Sequence, residues 1–413
     1  MARANLRSWF DVLHHSASRW RQSVRVEAKI RPPHCMGKSV LVVRGGALPI
    51  ESGLGRAHFA VTERIRAGLV HGWSLGGTLE HSLNDSHNPV KRLRKRWSIH
   101  PRNVVSEISK ISPSIVHITD QEQAHLVPTN SECPVVVTIH DLFHLDPQVL
   151  NTAWGPIQIG QKPGFIRRMD IRRLITGLRR ADAALCISEA TAAHVKRFLP
   201  DLRTFVVPNS VDLISRDPRI KRHSPPNLEP ESMHLLVVGS EDRRKALDFA
   251  LEVIGALDIS IRRDILLHKV GAESSSFAEQ RLKEKATSLG VRMRWHGRVE
   301  EENLIALEQN VEALLFPSAA EGFGLPVVEA MASGCPVLVN DLGAQNEHPP
   351  DRSILPAFDH DAWCMAIEDM HKSWVNRGKS VRPIDEEMIH NAEKSSPSSI
   401  GVIQSSVYDQ ILG

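Results

Sequence analysis

A chain of 413 residues is too long for one ordinary hydrophobic core and calls for two domains of roughly 150 to 200 residues each. Hydrophobic residues make up 41% and charged residues 24%, and no apolar run approaches the ~20 residues that cross a bilayer, so an integral membrane protein is excluded. The net charge of +3 is small, aromatic residues are only 5%, and no binding module accompanies the basic clusters, which argues against a nucleic-acid partner.

Residues 1–38 carry Arg3, Arg7, Arg19, Arg21, Arg25, Lys29, Arg31 and Lys38 against Asp11 and Glu27, with no signal-peptide core. They read either as a basic amphipathic arm, with Trp9, Phe10, Leu13 and Trp20 on one side facing an anionic membrane, or as an extension without a folded role. A first domain is expected over 39–212. It opens with a strand at 39–43, a loop holding Gly45, Gly46, Gly53 and Gly55, and helical spacing through Phe59, Ile65 and Leu69. Short apolar runs predict further strands at 115–118, 134–139, 183–187 and 204–207. Residues 213–231, with Pro218, Pro225, Pro226 and Pro230, read as a linker. A second domain over 232–384 repeats the alternation, with strands at 235–238, 265–270, 291–296, 313–316 and 336–339 and a helix at 245–257. Residues 385–413 form a C-terminal segment. The pattern is α/β: two Rossmann-like doubly wound domains facing across a cleft, where ligands of such sheets bind. Five cysteines, Cys35, Cys133, Cys186, Cys335 and Cys364, lack C-x-x-C spacing and fit a reducing cytoplasm better than a disulfide framework.

The most informative stretch is 316–341, FPSAAEGFGLPVVEAMASGCPVLVND. Gly322, Gly324 and Pro326 place Glu321 in a loop at a strand's carboxyl end, and Pro326 is expected as the first residue of a helix that Gly334 ends. Free amides at that helix start attract phosphate, and Glu329 is placed in its first turn. Taken singly, Glu329 could merely complement the helix dipole and Glu321 be a solvated loop residue. Together, the spacing and the GFGLP and EAMASGCPV segments resemble the signature of the group 1 glycosyltransferases, family 4, with the GT-B fold. The resemblance implies that Glu321 contacts donor-sugar hydroxyls and Glu329 the nucleotide ribose, while amides of Phe323, Gly324 and Leu325 help to hold the donor.

Other segments extend the resemblance. Ser52-Gly53-Leu54-Gly55-Arg56 is similar to the family's G-G-x-G-R loop, which brings Gly53 and Gly55 to the donor diphosphate; a dinucleotide fingerprint fails because His58 occupies its third glycine position. His140 follows a buried-strand pattern, and the resemblance implies that it contacts the donor sugar, with Asp141 stabilising the turn. His140 and His144 lack a third ligand for a metal. Three cations at 243–245 beside a helix start invite an anion, and the resemblance assigns Arg244 and Lys245 to the diphosphate, although Arg243 and Ala246 stand where proline and asparagine are usual. Val299 resembles the strand-end valine whose backbone lies against the base. Asn209 matches a hinge motif, and Glu347 lies near a later P-E without its proline. Residues 405–412 resemble the last helix, which crosses back to the first domain.

Asp359-His360-Asp361 reads as a helix cap and is assigned no metal, and no cofactor is implied. The basic segments 91–97 and 165–180 are either solvated faces or a surface for anionic lipid or a lipid-diphosphate acceptor, with peripheral attachment at the inner face of the membrane. The resemblance implies a retaining transferase that moves a sugar from a nucleotide-diphosphate donor to a hydroxyl of a saccharide or lipid-linked acceptor in envelope polysaccharide or glycolipid synthesis. GDP-mannose is the preferred donor, on the EGFGLP segment, ahead of UDP-sugars. A nucleotide-sugar epimerase or hydrolase on a related scaffold, and a non-catalytic nucleotide-sugar-binding protein, are the alternatives.

Overall fold

The computed structural model describes residues 37–45, 53–81, 88–224, 228–271 and 275–413. The basic N-terminal arm, Cys35, Gly46 and Ser52 lie outside the described residues.

Strands β1 (Lys38–Gly45), β2 (Trp73–His81), β3 (Ile115–Ile118) and β4 (Val135–Ile139) precede a hairpin of β5 (Gln148–Thr152) and β6 (Gly155–Ile159), and β7 (Ala183–Cys186) and β8 (Thr204–Val206) follow it. Without the hairpin they make a parallel six-stranded sheet in the order β2-β1-β3-β4-β7-β8. The second sheet consists of β9 (Met233–Val238), β10 (Ile265–Val270), β11 (Met293–Gly297), β12 (Ala313–Phe316), β13 (Val337–Asn340) and β14 (Ile354–Leu355), in the order β11-β10-β9-β12-β13-β14. The principal helices are α1 (Gly53–Arg66), α2 (His100–Ile111), α3 (Phe165–Leu178) and α4 (Glu189–Phe198) in the first lobe. In the second they are α5 (Leu247–Ala256), α6 (Glu301–Asn310), α7 (Leu325–Ala332) and α8 (His360–Asn376), and α9 (Pro397–Leu412) ends the chain.

Both sheets are covered on both faces, which is why their central strands read as mostly apolar runs, with buried His117 in β3 and His234 in β9 among the exceptions. Alternation along β1 sends Leu41 and Val43 into a cluster with Val104 and Ile108 of α2, and Val40 and Val42 into another with Val61 and Ile65 of α1. In the second lobe Leu235 and Val237 pack with Phe249 of α5, while Leu236 packs with Leu307 of α6 and Val327 of α7.

The lobes exchange elements. The hairpin leaves the first lobe and buries Ile157 and Ile159 in the second lobe's core, where Trp154 stacks on Phe358 with ring centroids 5.6 Å apart. In the other direction α9 buries Tyr408 against the first sheet, its hydroxyl 2.6 Å from His117 Nδ1.

Several expectations are corrected. The strand β2, the hairpin and β14 were not anticipated; β2 is an edge strand interrupted by Gly76 and Gly77, with alternating burial. The first helix ends at Arg66, before Leu69. Gly53 and Gly55 are already helical, in the first turn of α1 rather than in a loop. The helix expected from Lys245 starts at Leu247, after a 3-10 turn over Arg243–Lys245 and a left-handed Ala246 at φ 50°. In α7, Leu325 rather than Pro326 comes first, which moves Glu329 to the fifth residue, just past the first turn.

Candidate active site

In each sheet the strand order reverses at one point, between β1 and β3 in the first and between β9 and β12 in the second. Loops leaving neighbouring strands there diverge to opposite faces and open a crevice. In the second lobe this sets the turn after β9 beside the loop after β12. Asp242 accepts a hydrogen bond from Arg244 N at 2.9 Å and winds the tight turn, and the Arg244 carbonyl accepts from Ala319 N at 2.8 Å. Arg243 is left exposed, while Arg244 and Lys245 turn inward.

These two cations meet Glu321. Lys245 Nζ lies 2.6 Å and Arg244 Nη1 3.1 Å from Glu321 Oε1; Arg244 Nη1 also donates to the Ala320 carbonyl at 2.7 Å, and Ser318 Oγ donates to the carboxylate. Burial alone would raise the Glu321 carboxyl, but the Lys245 and Arg244 charges overcome it and hold the group below its ordinary value. Burial lowers the Lys245 ammonium against the pull of Glu321, whereas for Arg244 the burial that would lower it is outweighed by Glu321, Asp242 and Asp141 acting together, and the group is raised. The cluster is therefore a desolvated set of charges, fixed before any ligand arrives.

The loop from Glu321 to α7 is shaped by contact between the lobes. A Cβ at Gly322 would sit 1.9 Å from the His140 carbonyl oxygen, so only glycine lets the two backbones meet. The Gly322 carbonyl accepts from Ser188 Oγ at 2.7 Å and Thr191 Oγ1 at 3.1 Å, at the start of α4. Gly324, at φ 92°, then turns the chain into α7. Glu347 spans the same gap and accepts from Glu189 N at 3.0 Å and Ala190 N at 2.8 Å, closing the first turn of α4 from the opposite lobe. His140 is buried; its Nε2 lies 2.9 Å from the Thr119 carbonyl, which fixes the proton on Nε2 in the neutral ring.

Glu329 points into a second part of the crevice, a hollow of about 160 Å³ lined by Arg56, Asn209, Asp212, Arg216, Leu325 and Glu329. Its carboxylate lies 2.6 Å from Arg56 Nη1 of the first lobe and 3.7 Å from Arg216 Nη2. Arg216, only 1% exposed, is anchored by Glu308 at 2.6 Å and Glu301 at 3.0 Å.

Two family profiles match the chain: that of the glycosyl transferases group 1 over residues 219–386 and that of glycosyltransferase family 4 over residues 71–214. The chain belongs to the group 1 glycosyltransferases. Among relatives of this family, D-inositol 3-phosphate glycosyltransferase of Paenarthrobacter aurescens (strain TC1) is 28% identical over 58% of this chain and 58% of its own. The lipopolysaccharide core biosynthesis mannosyltransferase LpsB of Rhizobium meliloti (strain 1021) is 30% identical over 41% of this chain and 48% of its own. The chain thus spans about half the length of the curated relatives it matches. A solved structure described as trehalose-6-phosphate from E. coli bound with UDP-2-fluoro glucose superposes over 91% of this chain and 99% of its own with a TM-score of 0.65 at 12% identity, a likeness of fold. The fold is GT-B.

Within this group 1 glycosyltransferase, Arg244, Lys245 and Glu321 form one cluster, with Phe323, Gly324 and Leu325 leading from it into α7. His140 lies beneath Gly322, on the first-lobe side. Gly53 and Gly55 belong to the helical turn that carries Arg56 to Glu329, and Val299 packs beside the second lobe's core after β11. Asp359 accepts from Ala362 N at 3.0 Å as the cap of α8. Sequence reasoning missed Arg216, which looked like one more charge in a proline-rich linker, and gave no role to Arg56, Ser188 or Thr191. Only Arg56, inside the G-x-G-R segment, carried a signal that could have been followed.

Proposed function

We propose that the chain is a retaining hexosyltransferase that moves a sugar, with mannose from GDP-mannose as the first choice, from a nucleotide-diphosphate donor to a hydroxyl of a saccharide or lipid-linked acceptor in envelope polysaccharide or glycolipid synthesis. One observation carries the reading: Arg244 and Lys245 converge on Glu321 beside the open start of α7, at the point where the second sheet's strand order reverses. In this reading the two cations and the α7 amides take the charge of the departing diphosphate. Glu321 and His140 orient the sugar, Glu329 receives the ribose, Gly53 and Gly55 approach the diphosphate, and the backbone at Val299 borders the base. The mannosyltransferase relative favours mannose, and the UDP-sugar bound in the structural neighbour keeps UDP donors in the test set.

A cytoplasmic enzyme resting on the inner face of an anionic membrane belongs to the same proposal. It is supported by Phe165 and Ile166, 78% and 59% exposed at the start of the arginine-rich α3. No helix among the described residues is long and apolar enough to cross a membrane. The test is turnover of labelled GDP-mannose, UDP-glucose and UDP-galactose with and without lipid-linked saccharide acceptors. Acceptor-dependent transfer, abolished by Glu321→Ala, supports the reading. Free sugar or an isomer points to a hydrolase or epimerase, and binding without turnover to a non-catalytic protein.

A further inference from the structure

In the first lobe, α2 and α3 border a groove of about 790 Å³ that shares no residue with the crevice described above. That is the size of a small-molecule site. Its lining combines Trp97 and Met169 with Arg102, Arg172, Arg173 and Arg180, and it contains no carboxylate.

The local acids are already committed elsewhere. Asp170 is held by Arg96 at 2.9 Å and Arg167 at 2.9 Å, and Glu122 by Arg167 at 2.7 Å. Among the described residues Arg102 and Arg172 have no side-chain partner, and Arg180 donates only to Thr129 Oγ1, at 3.2 Å. Arg173 lies 4.0 Å over the Trp97 ring, and Trp97 is itself fixed by its Nε1 donating to Asp170 at 3.0 Å. The aromatic face and one guanidinium are therefore set in place, and the other cations are free to close on an anion.

A second observation points to a ligand as well. His125 lines the groove, is 7% exposed, and neither of its ring nitrogens has a partner among the described residues. Burial pushes it down to about 3, so the ring is neutral and offers one donor and one acceptor. Guanidinium forks match phosphate oxygens in pairs, and several such forks without a carboxylate suit a multiply charged anion. We propose that this groove is a second binding site, for a phosphomonoester or diphosphate whose organic part lies against Trp97 and Met169.

The inference rests on the groove and not on sugar transfer. Calorimetric titration of the whole chain with inorganic pyrophosphate, glucose 1-phosphate and monomeric dihexanoyl phosphatidic acid tests it. Binding by at least one ester is expected to weaken tenfold or more in R102S/R172S. It should persist in K245A, which changes only the crevice, and in R203S/R222S, which loses the same charge elsewhere. Phosphatidic acid alone binding the groove would make the phosphate a lipid headgroup, and glucose 1-phosphate alone a soluble sugar ester; either result supports the site. No binding of any probe, or binding indifferent to R102S/R172S or equally weakened by R203S/R222S, would overturn it.

Discussion

At the carboxyl edge of the second sheet, Arg244, Lys245, Glu321, Arg216 and Glu329 are charged and largely withdrawn from water. At the facing edge of the first, His140, Thr119 and Ser188 hydrogen-bond mostly to backbone. The two sheets have closely related strand orders, so topology alone does not explain the difference. Topology makes a crevice in each lobe; side-chain charge decides which one is prepared for an anion. Pairing the buried cations with Glu321 and Glu329 keeps them oriented while the crevice is empty, and a diphosphate would find them already desolvated.

The largest effect is expected from Arg216→Met, which leaves Glu308 and Glu329 buried without their common cation. A loss of about 3–5 kcal/mol in denaturant melts is predicted, and a loss below 1 would show that the second lobe does not depend on its charges. Lys245→Ala should slow transfer about 100- to 1,000-fold, with His140→Ala well behind it; equal losses would erase the distinction between the edges. Gly322→Ala places a methyl 1.9 Å from the His140 carbonyl, so the lobes should part, raising the radius of gyration in X-ray scattering while nucleotide affinity holds. An unchanged radius with full transfer would mean that this backbone contact is dispensable. Glu347→Ala removes the cap that the second lobe provides for α4 and should cost about 1 kcal/mol.

The smallest effect is a slope with pH. Glu321 has its folded pKa below the ordinary 4.5, so the stability from its charge is complete above 4.5 and is lost as pH falls through the folded value. The stability difference between wild type and Glu321→Gln should therefore be constant near neutrality and shrink in acid, whereas a constant difference throughout would place the carboxylate outside the cation pair.

How far the sequence could be read follows the same division. Runs 265–270 and 313–316 match β10 and β12 residue for residue, because strands buried on both faces read as mostly apolar, even where buried His268 and Lys269 interrupt β10. The hairpin escaped notice because Gln148, Asn151 and Gln158 interrupt its apolar residues, and the surface that buries Ile157 and Ile159 belongs to the other lobe. The Arg244, Lys245 and Glu321 cluster could be traced through motif resemblance. Arg216 could not, since its partner Glu308 is 92 residues away and no local pattern links them.

Equilibrium binding of GDP-mannose and UDP-glucose to the wild-type chain and to Lys245→Ala tests the central claim most directly. One of the two donors should bind the wild type, with affinity reduced at least ~100-fold in the variant, as expected for a lost contact to a buried charge worth about 3 kcal/mol. Equal affinity in the two proteins, or no binding of either nucleotide sugar by the wild type, would contradict a donor site built on Arg244, Lys245 and Glu321.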